Sequence, residues 1–255
     1  MELNFKKIGE SNRKIIILHG LFGSLDNWMT HARELSNNGF EVYLIDQRNH
    51  GKSPHDKGFS YELLAEDLYH FIVKHSLQNS ILIGHSLGGK TVMQFVMQFN
   101  ISISKVIVVD IAPKQYTPYH QKNINAFLAV DIENLKSRNE AHQAMSNIEN
   151  DVNVIQFLLK NLERVSDGFN WKLNLHEIIR NIENVDKIYP FQKACMLPTL
   201  FIRGSKSDYI LNEDRNLLKM QFPNSTLVTI EKAGHWVHSE RYEEFMKTLF
   251  LFLNR

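Results

Sequence analysis

Six apolar runs, each four or five residues long and rich in Ile and Val, constrain the fold of this chain more tightly than any other feature. They are Lys14–Leu18, Glu41–Ile45, Ser80–Ile83, Lys105–Val109, Thr199–Ile202 and Thr226–Ile230, each followed by a turn residue or a polar group. Segments without polar alternation at this length predict strands buried on both faces, as in parallel sheets. Helix-period stretches lie between them. Ser60 is a candidate N-cap, and Leu64, Leu68, Phe71 and Ile72 follow along one helical face that ends near His75. Leu87–Phe99, Asn212–Phe222 and Ser239–Leu253 read as further helices. This alternation predicts an α/β architecture, a mostly parallel central sheet with helices on both faces. Such sheets bind ligands beyond the carboxyl ends of their strands, so the residues just after each run are the ones to read for chemistry.

The alternation stops between Pro113 and Pro190, where the pattern is helical, as in Ile155, Leu158, Leu159 and Leu162, and no strand is expected. The expectation is a single domain with a core of 1–112 and 191–255 and a helical cap, 113–190, inserted between two strands. The insert carries 9 Lys/Arg and 10 Asp/Glu, a net −1, and its Phe127, Leu128, Phe157, Leu158, Leu159 and Trp171 can pack onto the core and cover a site. At 255 residues and 43% hydrophobic, the chain can form a core without disulfides or a structural metal. The lone Cys195 is consistent with a reducing, cytoplasmic setting. A formal charge of 29 − 28 = +1 offers no field to recruit nucleic acid or an anionic membrane. The apolar runs are strand-sized against the ~20 residues of a membrane span, and Met1–Lys7 lacks the apolar stretch of a signal peptide. A small-molecule ligand is the expected partner, and oligomeric state is not readable.

Gly84-His85-Ser86-Leu87-Gly88-Gly89 follows the third run and precedes a helix, the context in which Gly-x-Ser-x-Gly becomes a nucleophile elbow. There Ser86 is the candidate nucleophile, and the N–H of Leu87 at the helix N-terminus can stabilise a developing oxyanion. A serine needs a histidine base that a third group orients. Of the twelve histidines, His235 stands just after the last run, in Ala233-Gly234-His235-Trp236, while His238 reads as a surface or supporting residue. His19, His31, His70, His75, His85, His120, His142 and His176 read as solvated or hydrogen-bonded. No metal-ligand spacing is present, so neither a metal nor another cofactor is expected. The loop His19–Ser24 after the first run offers a second oxyanion N–H, Leu21 first and Phe22 as the alternative. The polar loop Asp46–Ser53 reads as a hydrogen-bonded brace for the elbow.

Taken together, His19-Gly20, Asp46-x-Arg48-x-His50-Gly51-x-Ser53, Gly84-His85-Ser86-x-Gly88-Gly89 and Gly234-His235 resemble the α/β-hydrolase superfamily. More closely, His19–Asn27, Arg48–Gly51, Asp110-Ile111-Ala112-Pro113, Val154–Leu159 and Gly234–His238 resemble the YbfF-type bacterial esterases. The resemblance covers nearly the whole chain and implies hydrolysis of carboxylic esters or acyl thioesters by a Ser-His-Asp triad under a helical cap, without a cofactor. Two aspartates compete for the acid. Most α/β-hydrolases would select Asp208, after the strand that precedes the histidine strand; the closer family implies Asp110, which is favoured here, with Asp208 as the alternative. A serine at the elbow argues against dehalogenases and epoxide hydrolases, which carry an aspartate there. The alternatives are a carbon–carbon bond hydrolase or lyase of the same fold, with Arg48 or Arg203 buried in the pocket, and a ligand-binding signalling protein with a residual triad.

Overall fold

The computed structural model describes residues 1–116, 120–186 and 193–255. Seven strands form the central sheet: β1 (Phe5–Ile8), β2 (Lys14–Leu18), β3 (Glu41–Ile45), β4 (Ile81–His85), β5 (Lys105–Val109), β8 (Thr199–Gly204) and β9 (Ser225–Ile230). A separate antiparallel pair, β6 (Leu162–Val165) and β7 (Gly168–Trp171), lies in the insert. Sheet order is β1-β3-β2-β4-β5-β8-β9, parallel throughout except for β1, which runs antiparallel to β3. Each of the six predicted runs coincides with a strand. Ile15, Ile16, Ile17 and Leu18 are all at most 1% exposed, which explains why β2 shows no polar alternation.

Helices α1 (Met29–Asn37), α2 (Tyr61–Lys74) and α3 (Leu87–Gln98) precede the insert; α4 (Gln121–Leu128), α5 (Arg138–Ser146), α6 (Val152–Leu159), α7 (Leu175–Arg180) and α8 (Ile182–Asp186) belong to it. α9 (Arg215–Gln221), α10 (Val237–Glu240) and α11 (Tyr242–Leu253) close the chain. The Ser60 hydroxyl accepts from Leu63 N, the expected N-cap of α2. One apolar layer packs α2, α3 and α9 on one face of the sheet, with Leu68, Val92 and Leu218 among its members. A second packs α1 and α11 on the other, through Leu35, Phe245 and Leu249.

Two expectations need correction. The predicted final helix is broken at Arg241, whose backbone (φ −132°, ψ 61°) is not helical. The insert is not purely helical: Leu162, read as the end of a helical stripe, opens β6, and α6 stops at Leu159. The β6–β7 pair escapes notice because Glu163, Arg164 and Asn170 at its centre are charged or polar and exposed, leaving no apolar run. Within the insert, Phe127, Leu158, Leu159 and Trp171 share an apolar cluster with Leu21, Phe22, Tyr61 and Leu87 of the core, whereas Leu128 is exposed. The expected end of the insert, Pro190, lies outside the described residues. Among the described residues, no helix is long and apolar enough to cross a membrane.

Candidate active site

Chain order runs from β2 outward to β3 and then back across β2 to β4, so the loops after β2 and β4 diverge. This divergence opens a crevice at the carboxyl ends of the strands. The loop after β2 carries Leu21 and Phe22; the one after β4 carries Ser86.

Ser86 has φ 51° and ψ −115°, a conformation that costs a non-glycine residue about 1–3 kcal/mol. The elbow requires close backbone approach around it. A Cβ on Gly84 would lie 2.2 Å from the Gly88 carbonyl oxygen, and one on Gly88 would lie 2.5 Å from that of Leu18. The turn thus points the serine into a cleft whose space, open solvent at its mouth included, is about 310 Å³. Leu21, Leu87, Lys90 and Ile111 line the core side with it, and Tyr116, His120 and Val185 come from the insert. The Ser86 hydroxyl makes no capping hydrogen bond to α3.

The loop after β9 brings His235 against Tyr209, which lines the cleft, and its Nδ1 lies 2.8 Å from Asp110 Oδ2. Asp110 is completely buried and itself has positive φ, 52°. Its Oδ1 accepts from Gly204 N at 3.1 Å, and its Oδ2 also accepts from the Ser207 hydroxyl. Tyr209 stacks on the His235 ring at 3.9 Å between centroids. Ser207 and Tyr209 therefore both reach this pair, whereas Asp208 between them is exposed. The Glu240 carboxylate accepts from Gly234 N (2.8 Å) and Trp236 N (3.2 Å), pinning the backbone on either side of His235. The His85 ring, held neutral by burial that drives its pKa well down, donates from Nε2 to the His235 carbonyl at 3.0 Å.

The candidate oxyanion loop is clamped at Phe22, which has φ 60°. Its N–H donates to His50 Nε2 at 3.2 Å, and its carbonyl accepts from Asn161 Nδ2 of the insert at 2.8 Å. His50 Nδ1 faces the Arg48 carbonyl at 2.9 Å, which makes Nδ1 the protonated nitrogen and leaves Nε2 to accept. Burial first, and the nearby His19 second, push the His50 pKa down to about 3, so the ring stays neutral. Of the two N–H groups considered for the oxyanion, that of Phe22 is thus engaged by His50. The polar loop after β3 also braces the elbow: Thr91 of α3 donates to Gln47 Oε1, and Gln47 Nε2 donates to the His19 carbonyl.

Several residues depart from their sequence reading. His120 lines the cleft, and burial, aided by the charges of His235 and Lys90, takes its pKa down to about 4. His238 is buried rather than on the surface, stacked on Trp28 at 4.4 Å. Neither arginine considered for the pocket lines it: Arg48 pairs with Asp67 at 2.6 Å, and Arg203 bonds Thr229, Asn212 and the Ile210 carbonyl. Among the described residues that line the cleft, the lysine is Lys90, which no motif singles out. Among the described residues there is no group of three or more side chains able to hold a metal ion.

Residues 14–242 match the family model described as the α/β hydrolase fold. The chain is 36% identical over 248 residues to esterase YbfF of Escherichia coli, covering 96% of this chain and 94% of that protein. It is 34% identical over 248 residues to the mouse sn-1-specific diacylglycerol lipase ABHD11, covering 94% of this chain and 80% of that protein. A solved structure described as a marine microorganism esterase superposes with a TM-score of 0.95 at 44% identity, covering 98% of this chain and 99% of that one.

Proposed function

The chain belongs to the α/β-hydrolase family as a carboxylesterase-type hydrolase, and from that premise we propose that Ser86, His235 and Asp110 form its catalytic triad. The observation that carries the reading is the hydrogen bond between His235 Nδ1 and the buried Asp110, with the His235 ring stacked on Tyr209 of the cleft that a strained Ser86 also lines. Asp110 holds the imidazole with its Nε2 lone pair available as a base. His235 takes the Ser86 proton as Oγ attacks the acyl carbonyl, and the Leu21 and Leu87 N–H groups receive the oxyanion. Collapse expels the alcohol, protonated by His235, and leaves an acyl-enzyme that water cleaves by the same steps.

Relatives named esterase and diacylglycerol lipase support esters as the substrate class, and the same chemistry accepts acyl thioesters. Residues 113–190 act as the cap over the core of 1–112 and 191–255: Asn161 holds the oxyanion loop, and Phe157 packs on Trp236 beside the base. The single, buried Cys195 supports a cytoplasmic setting. The test is kcat/KM across p-nitrophenyl esters from acetate to palmitate, with matching acyl-CoA thioesters and Ser86→Ala as the blank. Ser86-dependent turnover with an optimum at short to medium acyl length is expected for a cleft this small. Full activity of Ser86→Ala, or no turnover by the folded wild type, would overturn the reading.

A further inference from the structure

His85 precedes Ser86, ends β4 and is 4% exposed, and its ring lies where the parts of the candidate site meet. Its Nε2 is 3.0 Å from the His235 carbonyl, and because a carbonyl oxygen only accepts, that nitrogen carries the proton. Its Nδ1 faces the loop after β2: a Cβ on Gly20 would come within 2.8 Å of it, and within 3.3 Å of Ser86 Cβ. The His235 and His238 rings pack against it at 4.8 and 4.6 Å between centroids, and His238 is itself buried and stacked on Trp28. The ring is thus packed in place between the elbow, the oxyanion loop and the loop of the base.

The backbone of the next residue reaches toward the acid: Ser86 N–H donates to the Val109 carbonyl at 3.0 Å, one residue before Asp110. The elbow is therefore bonded through its backbone to the strand that leads to the acid, and through the His85 side chain to the loop that carries the base. β4 otherwise buries Ile81, Leu82 and Ile83, and sinking an imidazole beside them costs stability that another apolar side chain would not. What the imidazole supplies, and an apolar side chain cannot, is the bond to the His235 carbonyl.

Resting on the triad reading above, we propose that His85 is a positioning residue for the base: its Nε2–H fixes the His235 backbone at a set distance from Ser86. The His235 imidazole then meets the serine hydroxyl in acylation and the attacking water in deacylation. His85 lies outside the cleft lining, so it acts through His235 rather than on the substrate. Misplacing a reacting group by about 1 Å can cost about a hundredfold in rate.

The test replaces the ring by three side chains and measures kcat and KM for p-nitrophenyl butyrate, with melting temperatures and with Ser86→Ala as the blank. His85→Gln puts an amide nitrogen where Nε2 stands; His85→Asn puts it where Nδ1 stands, short of the carbonyl; His85→Met matches glutamine in length and has no donor. His85→Met and His85→Asn should lose about ten- to a hundredfold in kcat and equally in kcat/KM, with KM unchanged, because His235 serves both chemical steps. His85→Gln should restore kcat to within about threefold of wild type. A folded His85→Met or His85→Asn that matches His85→Gln overturns the proposal, and so does a His85→Gln no better than they are. Loss of the fold in both His85→Met and His85→Asn overturns it too, since the bond would then serve the fold itself. Turnover that survives Ser86→Ala, or none by the wild type, would instead strike at the triad reading.

Discussion

Replacing Asp110 with asparagine should stop catalysis while leaving the fold in place, and the contacts of Asp110 say how. Its Oδ1 accepts from the Gly204 backbone N–H, which can only donate, so the single carbonyl oxygen of an asparagine is drawn to that position. The amide NH2 then occupies the Oδ2 position, facing the Ser207 hydroxyl and His235 Nδ1. Ser207 can rotate its hydroxyl and accept, so that contact survives. His235 cannot adapt without cost: Nδ1 must become the acceptor, the proton moves to Nε2, and the ring loses the lone pair that should take the Ser86 proton. A tautomer error of this kind lowers kcat by about 10⁴, or about 5 kcal/mol in the barrier. The assay is kcat for p-nitrophenyl butyrate by Asp110→Asn and Asp208→Asn, with melting temperatures to show that both are folded. Asp208 is exposed, so its variant should stay within about twofold of wild type. Asp110→Asn retaining a tenth of wild-type kcat, or Asp208→Asn losing activity in its place, would refute the reasoning.

Three further variants test the backbone, two of them around the site. His50→Leu deprives the Phe22 N–H of its acceptor and should cost about 1–3 kcal/mol of stability in urea, together with a fall in kcat larger than any change in KM. Because the folded His50 pKa is depressed from 6.5 to about 3, the unfolded chain takes up that proton first. Its contribution to stability is complete above about pH 6.5 and is lost as pH falls toward 3, so the melting temperature of the variant should decline less steeply with acid than that of wild type. Gly88→Ala would drive a Cβ to within 2.5 Å of the Leu18 carbonyl oxygen and 2.7 Å of that of His19, neither of which can yield, and should cost about 3 kcal/mol or more. Gly39→Ala meets nothing within 4 Å and carries only the strain of φ +84°, about 1–2 kcal/mol by the same urea titration.

What could be read from the sequence follows the range of the interactions involved. The strands of the parallel sheet were legible because burial on both faces writes an uninterrupted Ile/Val run into the chain. β1 was not, since Phe5-Lys6-Lys7-Ile8 is an edge strand with three of its four residues exposed. The elbow was legible because its glycines and its serine are demanded by one local turn. The choice between the two aspartates was legible only through the resemblance, which favoured Asp110: both follow strands and both preserve chain order, and it takes the convergence of β5, β8 and β9 to bring Gly204, Ser207 and His235 around Asp110. Lys90 is the extreme case. In a helix that also carries Thr91 and Gln94, a lysine reads as a solvated residue, and nothing nearby in sequence announces that Tyr61 and Tyr116 will enclose it. Those tyrosines come from α2 and from the start of the insert, elements on opposite sides of α3 in the chain. The turn that carries Ser86 is thus set by a short local motif, while the cleft around it is assembled from distant segments. Two chains of this fold can therefore share every motif around the serine and still differ in the cleft that surrounds it, because side chains such as those at positions 90, 116 and 120 lie outside the motifs.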